Sequence, residues 1–335
     1  MTKVAIIGAS GYTGLELIKI SLTHPKFEIT YIGTSNGGEK LTDLHPSLLG
    51  VYECDVQKSD STQIAKVADL AFLALPHKAS MGFAKDLLAL GVKVVDLSAD
   101  YRLELDTYEK FYCEHEDKEN IPNAVYGLPE MNREQMAKTS LVANPGCYPT
   151  ATLLGLLPFA HYIDESSPIF IDAKSGLSGA GKKLNERTQF VNMNENMFAY
   201  APFSHRHSPE IKEKLEQLTC KEFEVNFVPH LIPATRGELV SIYLKLNSKI
   251  DAAKVLEEYY KNEYYVRVRT TPVDIKSTAG TNFCDIFVAQ NGTSLFISSA
   301  IDNLLRGSSS GAVVNANIMC GYEENLGIPF LAYVP

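Results

Sequence analysis

The chain has 335 residues, 45% of them hydrophobic and 21% charged, which is a soluble globular composition too long for one ordinary core, so two domains are expected. A net charge of −9 disfavours non-specific binding to nucleic acid or to an anionic membrane, and an anionic ligand would need a local basic cluster. Six scattered cysteines without a CxxC pair give neither a zinc ligand set nor a secreted disulfide framework, which points to a reducing cytoplasm.

The N-terminus, Met1-Thr2-Lys3-Val4-Ala5-Ile6-Ile7-Gly8, reads as a strand entering a glycine turn rather than as a signal peptide. No apolar run approaches the length of a membrane span. Residues 4–8 form the expected first strand and residues 14–23 the first helix. Further strands are expected at 28–33, 70–75 and 92–97, with a helix at 80–90 between the last two. This βαβ rhythm predicts a parallel, doubly wound sheet. Beyond about residue 150 the pattern changes. Strands at 169–173, 222–228, 240–246, 264–269, 284–289 and 293–300, with a helix at 251–262, predict an antiparallel or mixed sheet. Residues 174–183 read as a loop, 149–160 and 209–218 as helices, and 308–321 as a late helix stopped by Gly321. Packing of that helix on the first domain would make the domain discontinuous.

Gly8-Ala9-Ser10-Gly11-Tyr12-Thr13-Gly14 lies between the first strand and helix, where dinucleotide folds bind pyrophosphate. Its spacing is GxxGxxG rather than GxGxxG, so the context of strand and helix carries the reading. The second strand ends in Gly33-Thr34-Ser35-Asn36-Gly37, with no acid before Glu39. A carboxylate there would bind the 2′-hydroxyl of NAD; an uncharged end favours NADP. Leu75-Pro76-His77 and Leu97-Ser98-Ala99-Asp100-Tyr101-Arg102 follow strands at their ligand-binding ends. His77 reads as structural. Arg102 has the geometry to clamp an anion, but a surface ion pair with Asp100 or Glu104 is the stronger local reading.

Asn144-Pro145-Gly146-Cys147-Tyr148-Pro149-Thr150 places a cysteine beside an expected helix start, with Pro149 suited to the first helical position. Unpaired amides and the helix dipole there favour a thiolate nucleophile; the alternative is a small apolar residue beneath a turn. His205-Arg206-His207-Ser208-Pro209-Glu210 supplies imidazoles for acid–base work, and no third ligand accompanies the His-x-His pair, so a metal is not expected. The lysine- and glycine-rich segment 172–183 offers amides and cations for an anionic group, without a Walker A order. Pro229-His230-Leu231-Ile232-Pro233-Ala234-Thr235-Arg236-Gly237-Glu238 adds another arginine.

Together these motifs, with Asn303-Leu304-Leu305-Arg306-Gly307, resemble the N-acetyl-γ-glutamyl-phosphate reductase family over essentially the whole chain, in order. The resemblance implies an α/β fold: a Rossmann-type dinucleotide-binding domain from both chain ends (1–147 and about 308–335) and an α+β catalytic and oligomerisation domain (148–307). It also implies a homodimer or homotetramer. The implied reaction is reduction of an acyl phosphate. Cys147 attacks the acyl carbon and expels phosphate, NADPH delivers hydride to the thioester, and the adduct collapses to an aldehyde. His205 or His207 is the implied acid/base partner, with His205 preferred. Arg102, Ser175, Gly176, His207, Glu210 and Arg236 are implied substrate contacts. Gly8, Ser10, Gly11, Tyr12, Thr13 and Gly14 would hold the pyrophosphate, Ser35 the 2′-phosphate region and Asn315 the nicotinamide end. Pro76 and Ser98 are further cofactor candidates.

Two departures from the family pattern stand out. Ser35-Asn36 replaces a frequent serine–arginine pair, and residues 307–312 are unusually serine-rich. Competing readings are another acyl-phosphate reductase, acting on an aspartyl or a carrier-bound aminoadipyl substrate, a non-enzymatic NADP-binding redox switch, and a cysteine hydrolase. The last leaves the nucleotide motif without a role.

Overall fold

A computed structural model describes residues 1–333. The chain forms two compact units, Met1–Pro145 with Ser308–Ile328, and Gly146–Gly307 with the chain from Pro329 onward. Gly146 and Cys147 therefore open the second unit rather than close the first. The return at Pro329 is fixed by Asn282, whose N–H donates to the Pro329 carbonyl at 3.1 Å.

The first unit is built on a seven-stranded sheet in which every pairing is parallel. Its strands are β1 (Thr2–Ile7), β2 (Phe27–Thr34), β3 (Gln57–Lys58), β4 (Leu70–Leu73), β5 (Lys93–Asp96), β6 (Val125–Tyr126) and β7 (Leu141–Ala143), in the order β3-β2-β1-β4-β5-β7-β6. Val4, Ala5, Ile6 and Ile7 are all fully buried, because helices cover both faces of a parallel sheet. One of these, Ser309–Met319, comes from the end of the chain and packs on the Tyr12–Thr23 helix. The expected strands at 4–8, 28–33, 70–75 and 92–97 correspond to β1, β2, β4 and β5. Strands β3, β6 and β7 are two or three residues long, too short for hydrophobic periodicity to register.

The second unit carries a mixed sheet, in the order β12-β13-β14-β11-β8-β10-β9. Its strands are β8 (Ile169–Gly176), β9 (Phe198–Ala199), β10 (Val225–Ile232), β11 (Glu238–Lys245), β12 (Val266–Val268), β13 (Cys284–Asn291) and β14 (Ser294–Ile301). β8 runs parallel to β10 and antiparallel to β11, which pairs antiparallel with β14. The helix Cys147–Leu156 packs against β11 and β14, with Tyr148 to Leu156 all buried. At Gly155 a β-carbon would lie 3.1 Å from Ile242 and 3.2 Å from Ile297, so the missing side chain lets the helix approach the sheet closely. That helix starts at Cys147, not Pro149, and its last expected turn is a 3-10 segment, Leu157–Tyr162. Strand β8 runs through Gly176 into what the sequence presented as loop.

Candidate active site

In the first unit, β1 ends in a glycine turn whose shape is forced. Gly8 has φ +90°, and a β-carbon on it would lie 2.1 Å from the Ala74 carbonyl oxygen. On Gly14 it would lie 2.5 Å from the Gly8 oxygen. The Gly8 and Ala9 amides both donate to the Gly33 carbonyl, at 2.9 and 3.1 Å. Gly8 thus shapes the turn rather than offering its own N–H to a phosphate. The open donors are the first-turn amides of Tyr12, Thr13 and Gly14, since the Gly11 N-cap brings no side-chain cap. An uncapped helix start behind a tight glycine turn suits a pyrophosphate. The Thr13 carbonyl accepts from the Ser309 hydroxyl at 3.1 Å, which ties the late serine-rich helix to this cradle.

Ser35 and Asn36 are exposed just beyond β2. The sequence reading missed Lys58, which sits opposite Thr34 in the β2–β3 register and is exposed. A β-carbon on Gly37 would lie 2.2 Å from the Lys58 nitrogen, so the 35–37 turn lies directly on this lysine's backbone. Pro76 is exposed beyond β4. Ser98, expected at the cofactor, is buried, donates to Asp96 Oδ2 at 2.7 Å and accepts from the Asp100 N–H at 3.0 Å. Its hydroxyl orders the turn after β5.

Arg102 corrects the local reading of a surface residue: it is buried, and donates from Nε to the Asn144 carbonyl at 2.7 Å and from a terminal nitrogen to the Leu97 carbonyl at 2.8 Å. Asp100 instead accepts from the Lys78 and Met81 amides and the Tyr108 hydroxyl. The arginine braces the segment leading to Cys147. Asn315 acts alongside it: fully buried, it donates to the Gly127 carbonyl at 3.0 Å and to Asn144 Oδ1 at 2.9 Å, while its own Oδ1 has no hydrogen-bond partner. His77 accepts the Ala99 N–H at 2.9 Å, a structural role.

In the second unit, Cys147 is the first residue of its helix and is half-buried. First-turn amides lack intrahelical partners; Pro149 has no N–H, so Cys147 and Tyr148 carry those nearest the thiol. The N-cap is held in place by its neighbours. The Gly146 N–H donates to Glu210 Oε1 at 3.0 Å, and the Gly146 carbonyl accepts from the Thr150 amide and hydroxyl at 3.0 and 2.8 Å. Glu210 is buried, and this carboxylate positions the nucleophile's turn. Behind the thiol, a β-carbon on Gly307 would lie 2.6 Å from that of Cys147.

The two histidines separate in role. The His205, His207 and Tyr148 rings form one cluster, with centroids 4.8 to 5.8 Å apart. Burial, reinforced by Arg206, pushes His205 down to about 4, so it is neutral at physiological pH. Its Nδ1 accepts the His207 N–H at 3.1 Å, which leaves Nε2 as a donor. A neutral imidazole with its basic nitrogen so occupied is a poor base. His207 opens the His207–Thr219 helix.

The remaining expected residues converge near the carboxyl end of β8. Ser175 is buried, and a β-carbon on Gly176 would lie 2.8 Å from the Arg236 backbone. Arg236 Nε lies 3.2 Å from Asp302, itself fully buried. The Gly237 N–H donates to Asn303 Oδ1 at 2.8 Å, and Asn303 donates to Ser178 at 3.0 Å. Sequence reading noted the segments carrying Glu238, Asn303 and Gly307 but gave these residues no roles, and it passed over Asp302. Their chemistry lies in burial and close approach, which composition does not display.

Comparison with known proteins gives a consistent result. Residues 3–139 match the family described as the semialdehyde dehydrogenase NAD binding domain, and residues 147–303 its dimerisation domain. The chain is 62% identical over 335 residues to an N-acetyl-gamma-glutamyl-phosphate reductase of Sulfurovum sp. (strain NBC37-1), covering all of both chains. It is 58% identical to the protein of that name from Sulfurimonas denitrificans, over 99% of this chain and 98% of that one. Among solved structures, aspartate semialdehyde dehydrogenase II from Vibrio cholerae superposes with a TM-score of 0.73 at 16% identity, covering 96% of this chain and 98% of that one, a likeness of fold alone. The first unit is thus a nicotinamide-dinucleotide-binding domain, and the second is of an oligomerising type.

Proposed function

The chain belongs to the N-acetyl-γ-glutamyl-phosphate reductase family, and from that membership we propose that it reduces N-acetyl-L-glutamyl 5-phosphate to the 5-semialdehyde and phosphate, a step of arginine biosynthesis, through a thioester on Cys147. The observation that carries this reading is Cys147 at the first position of a buried helix, with its N-cap amide held by Glu210. Sγ attacks the acyl carbon; the C–S bond forms as the bond to phosphate breaks, and the electron pair leaves with phosphate. The amides of Cys147 and Tyr148 favour the oxyanion that develops on the acyl oxygen. When bound, the reduced dinucleotide supplies the hydride that takes the thioester to the aldehyde level. The tetrahedral oxyanion then re-forms the carbonyl and releases the thiolate of Cys147. His207 is the acid that protonates the departing phosphate, because the basic nitrogen of His205 is occupied. Arg236, fixed by Asp302, and the β8 end at Ser175 and Gly176 hold the anionic substrate.

The cofactor is NADP(H). Tyr12, Thr13, Gly14 and Ser10 hold the pyrophosphate, and Lys58 with Ser35 meets the 2′-phosphate, making good the arginine this sequence lacks. The protein acts as a homodimer or homotetramer in the cytoplasm. Phe170 and Tyr243, half-exposed and paired in register across β8 and β11, with Phe296 packed at a tilt against Tyr243, give the outer sheet face an apolar row suited to a second copy. No helix among the described residues is long and apolar enough to cross a membrane. The test is reduction of NADP⁺ in the presence of N-acetylglutamate semialdehyde and phosphate. Turnover that needs phosphate and disappears in Cys147→Ser is expected. Turnover with aspartate semialdehyde instead would overturn the substrate assignment.

A further inference from the structure

Glu238 is a fully buried carboxyl without a role in the chemistry derived so far. The other fully buried carboxylates of the second unit have partners. Asp285 pairs with Arg267 and Arg269; Asp302 pairs with Arg236 and accepts backbone amides; Glu210 accepts the Gly146 N–H. Among the described residues neither carboxyl oxygen of Glu238 meets a hydrogen-bond partner in good geometry, and the Cys147 thiol lies close enough to act on the carboxyl as a hydrogen-bonding group. A buried ionisable group left this way is costly unless it serves a function.

Its position is fixed by the backbone. Glu238 opens β11 between Ser175 of β8 and Ile301 of β14, so the strand cannot rotate its side chain away. Gly237, at φ +104°, sets the turn into the strand; its N–H is held by Asn303 and its carbonyl accepts from the Gly176 N–H at 2.9 Å. The helix that Cys147 opens packs on this same strand.

We propose that Glu238 is the proton carrier of the Cys147 thiol. The carboxylate takes the Sγ proton as the C–S bond forms and the phosphate leaves. When the tetrahedral adduct collapses, the C–S bond breaks, its electron pair returns to Sγ, and the carboxylic acid hands the proton back. Glu238 therefore ends each cycle as it began, and the proton consumed overall is the one taken up by phosphate. The reductant is the nicotinamide dinucleotide of the established family. This cycle rests on the reductase reading, whereas the pairing of carboxyl and thiol does not.

The electrostatics suit the exchange. Burial pushes the Glu238 carboxyl up, the Cys147 thiol partly offsets this and the Asp302 charge adds to it, bringing it to about 8. A carboxyl raised this far holds its proton much more tightly than an ordinary carboxylate does, as a group that carries a proton through the cycle must. Arg236 stands against Asp302, and the Tyr148 and Tyr200 hydroxyls, both raised by burial first, face the same site and stay protonated.

The test is alkylation of Cys147 by iodoacetamide across neutral to alkaline pH, read by mass on the Cys147 peptide, in wild type, Glu238→Gln and Glu238→Asp. A coupled pair gives a two-step profile in wild type and in the Asp variant, and a single step in the Gln variant. In the turnover assay, kcat of Glu238→Gln should fall by about 100-fold or more, as for loss of a general acid–base group, with KM nearly unchanged. Glu238→Asp should recover part of it. Superimposable alkylation profiles for wild type and Glu238→Gln would overturn the proposal, as would a rise in KM at constant kcat, which would make Glu238 a substrate acceptor. Absence of turnover in wild type would sink the reductase reading, and the alkylation profiles would still decide the pairing. Should Glu238→Gln not fold, infrared difference spectra of wild type before and after alkylation of Cys147 replace it. A shifted protonated-carboxyl band supports the pairing, and an unmoved one refutes it.

Discussion

Gly307→Ala tests whether the nucleophile is held by contact as well as by its helix. The added methyl would lie 2.6 Å from the Cys147 β-carbon, 2.8 Å from the Asn303 carbonyl oxygen and 3.0 Å from the Cys147 α-carbon. Carbon atoms at rest sit about 3.5–4.0 Å apart, so roughly 1 Å of movement must be found. None of the three atoms is the end of a flexible side chain. Two belong to the first residue of a helix that is buried from Tyr148 onward, and Asn303 holds the Gly237 turn. Overpacking of this kind destabilises by about 1–3 kcal/mol, and a nucleophile displaced by about 1 Å loses about 100-fold in rate. Phosphate-dependent turnover, Cys147 alkylation rate and thermal melting would be measured together. The control is Gly82→Ala, in the Ser80–Ala89 helix, where the added methyl meets nothing within 4 Å and should stabilise by about 0.5–1 kcal/mol. If Gly307→Ala kept wild-type kcat and melting temperature, the close approach behind the thiol would have no bearing on catalysis.

Three further outcomes are expected. Burial first, then the Asp100 charge, lifts Asp96 to about 6 from 3.8, so the folded state favours its protonated form. That favourable contribution is complete below about pH 4 and is lost as pH rises through about 6, a change of about 3 kcal/mol. Asp96→Asn should flatten the pH dependence of denaturant unfolding in that window, and an unchanged slope would contradict the assignment. Lys58→Glu should raise KM for NADP⁺ about 10-fold or more relative to NAD⁺ while leaving the melting temperature in place; equal effects on both cofactors would remove Lys58 from 2′-phosphate recognition. Arg102→Lys cannot keep both carbonyl bonds and should destabilise by about 1–3 kcal/mol in melts. A stable variant with only a raised substrate KM would restore Arg102 to the substrate site.

Local pattern in the sequence reached some of this and not the rest. The Gly8–Gly14 turn was legible because strand, glycines and helix follow in order, and each signal is contained within a few residues. Strand β7, which delivers the chain to Asn144, was not, because three residues carry no period. Among the site residues, Cys147 was found from its helix start, although the start lies at the cysteine itself. Arg102 and Glu210 were given substrate roles by the family resemblance, and Ser98 a cofactor role from its place after a strand end. Their burial and backbone partners are tertiary facts. Glu238 was invisible for the complementary reason: a lone carboxylate opening a strand reads as solvated until the neighbouring strands close over it.

The division of the chain also bears on the order in which the protein is made. Nearly all of the second unit is contiguous, from Gly146 to Gly307, with only the stretch from Pro329 added later. The nucleotide-binding unit instead waits for Ser309–Met319, whose buried face completes the packing on its first helix. On a ribosome the unit that begins second can therefore mature first, and the one that begins first is completed only once Ser309–Met319 has emerged. A nascent chain would carry a formed thiol site before it had a finished place for the dinucleotide. An unpaired sheet and helix face near the N-terminus would meanwhile await their closing partner, the interval in which chaperones find most to hold.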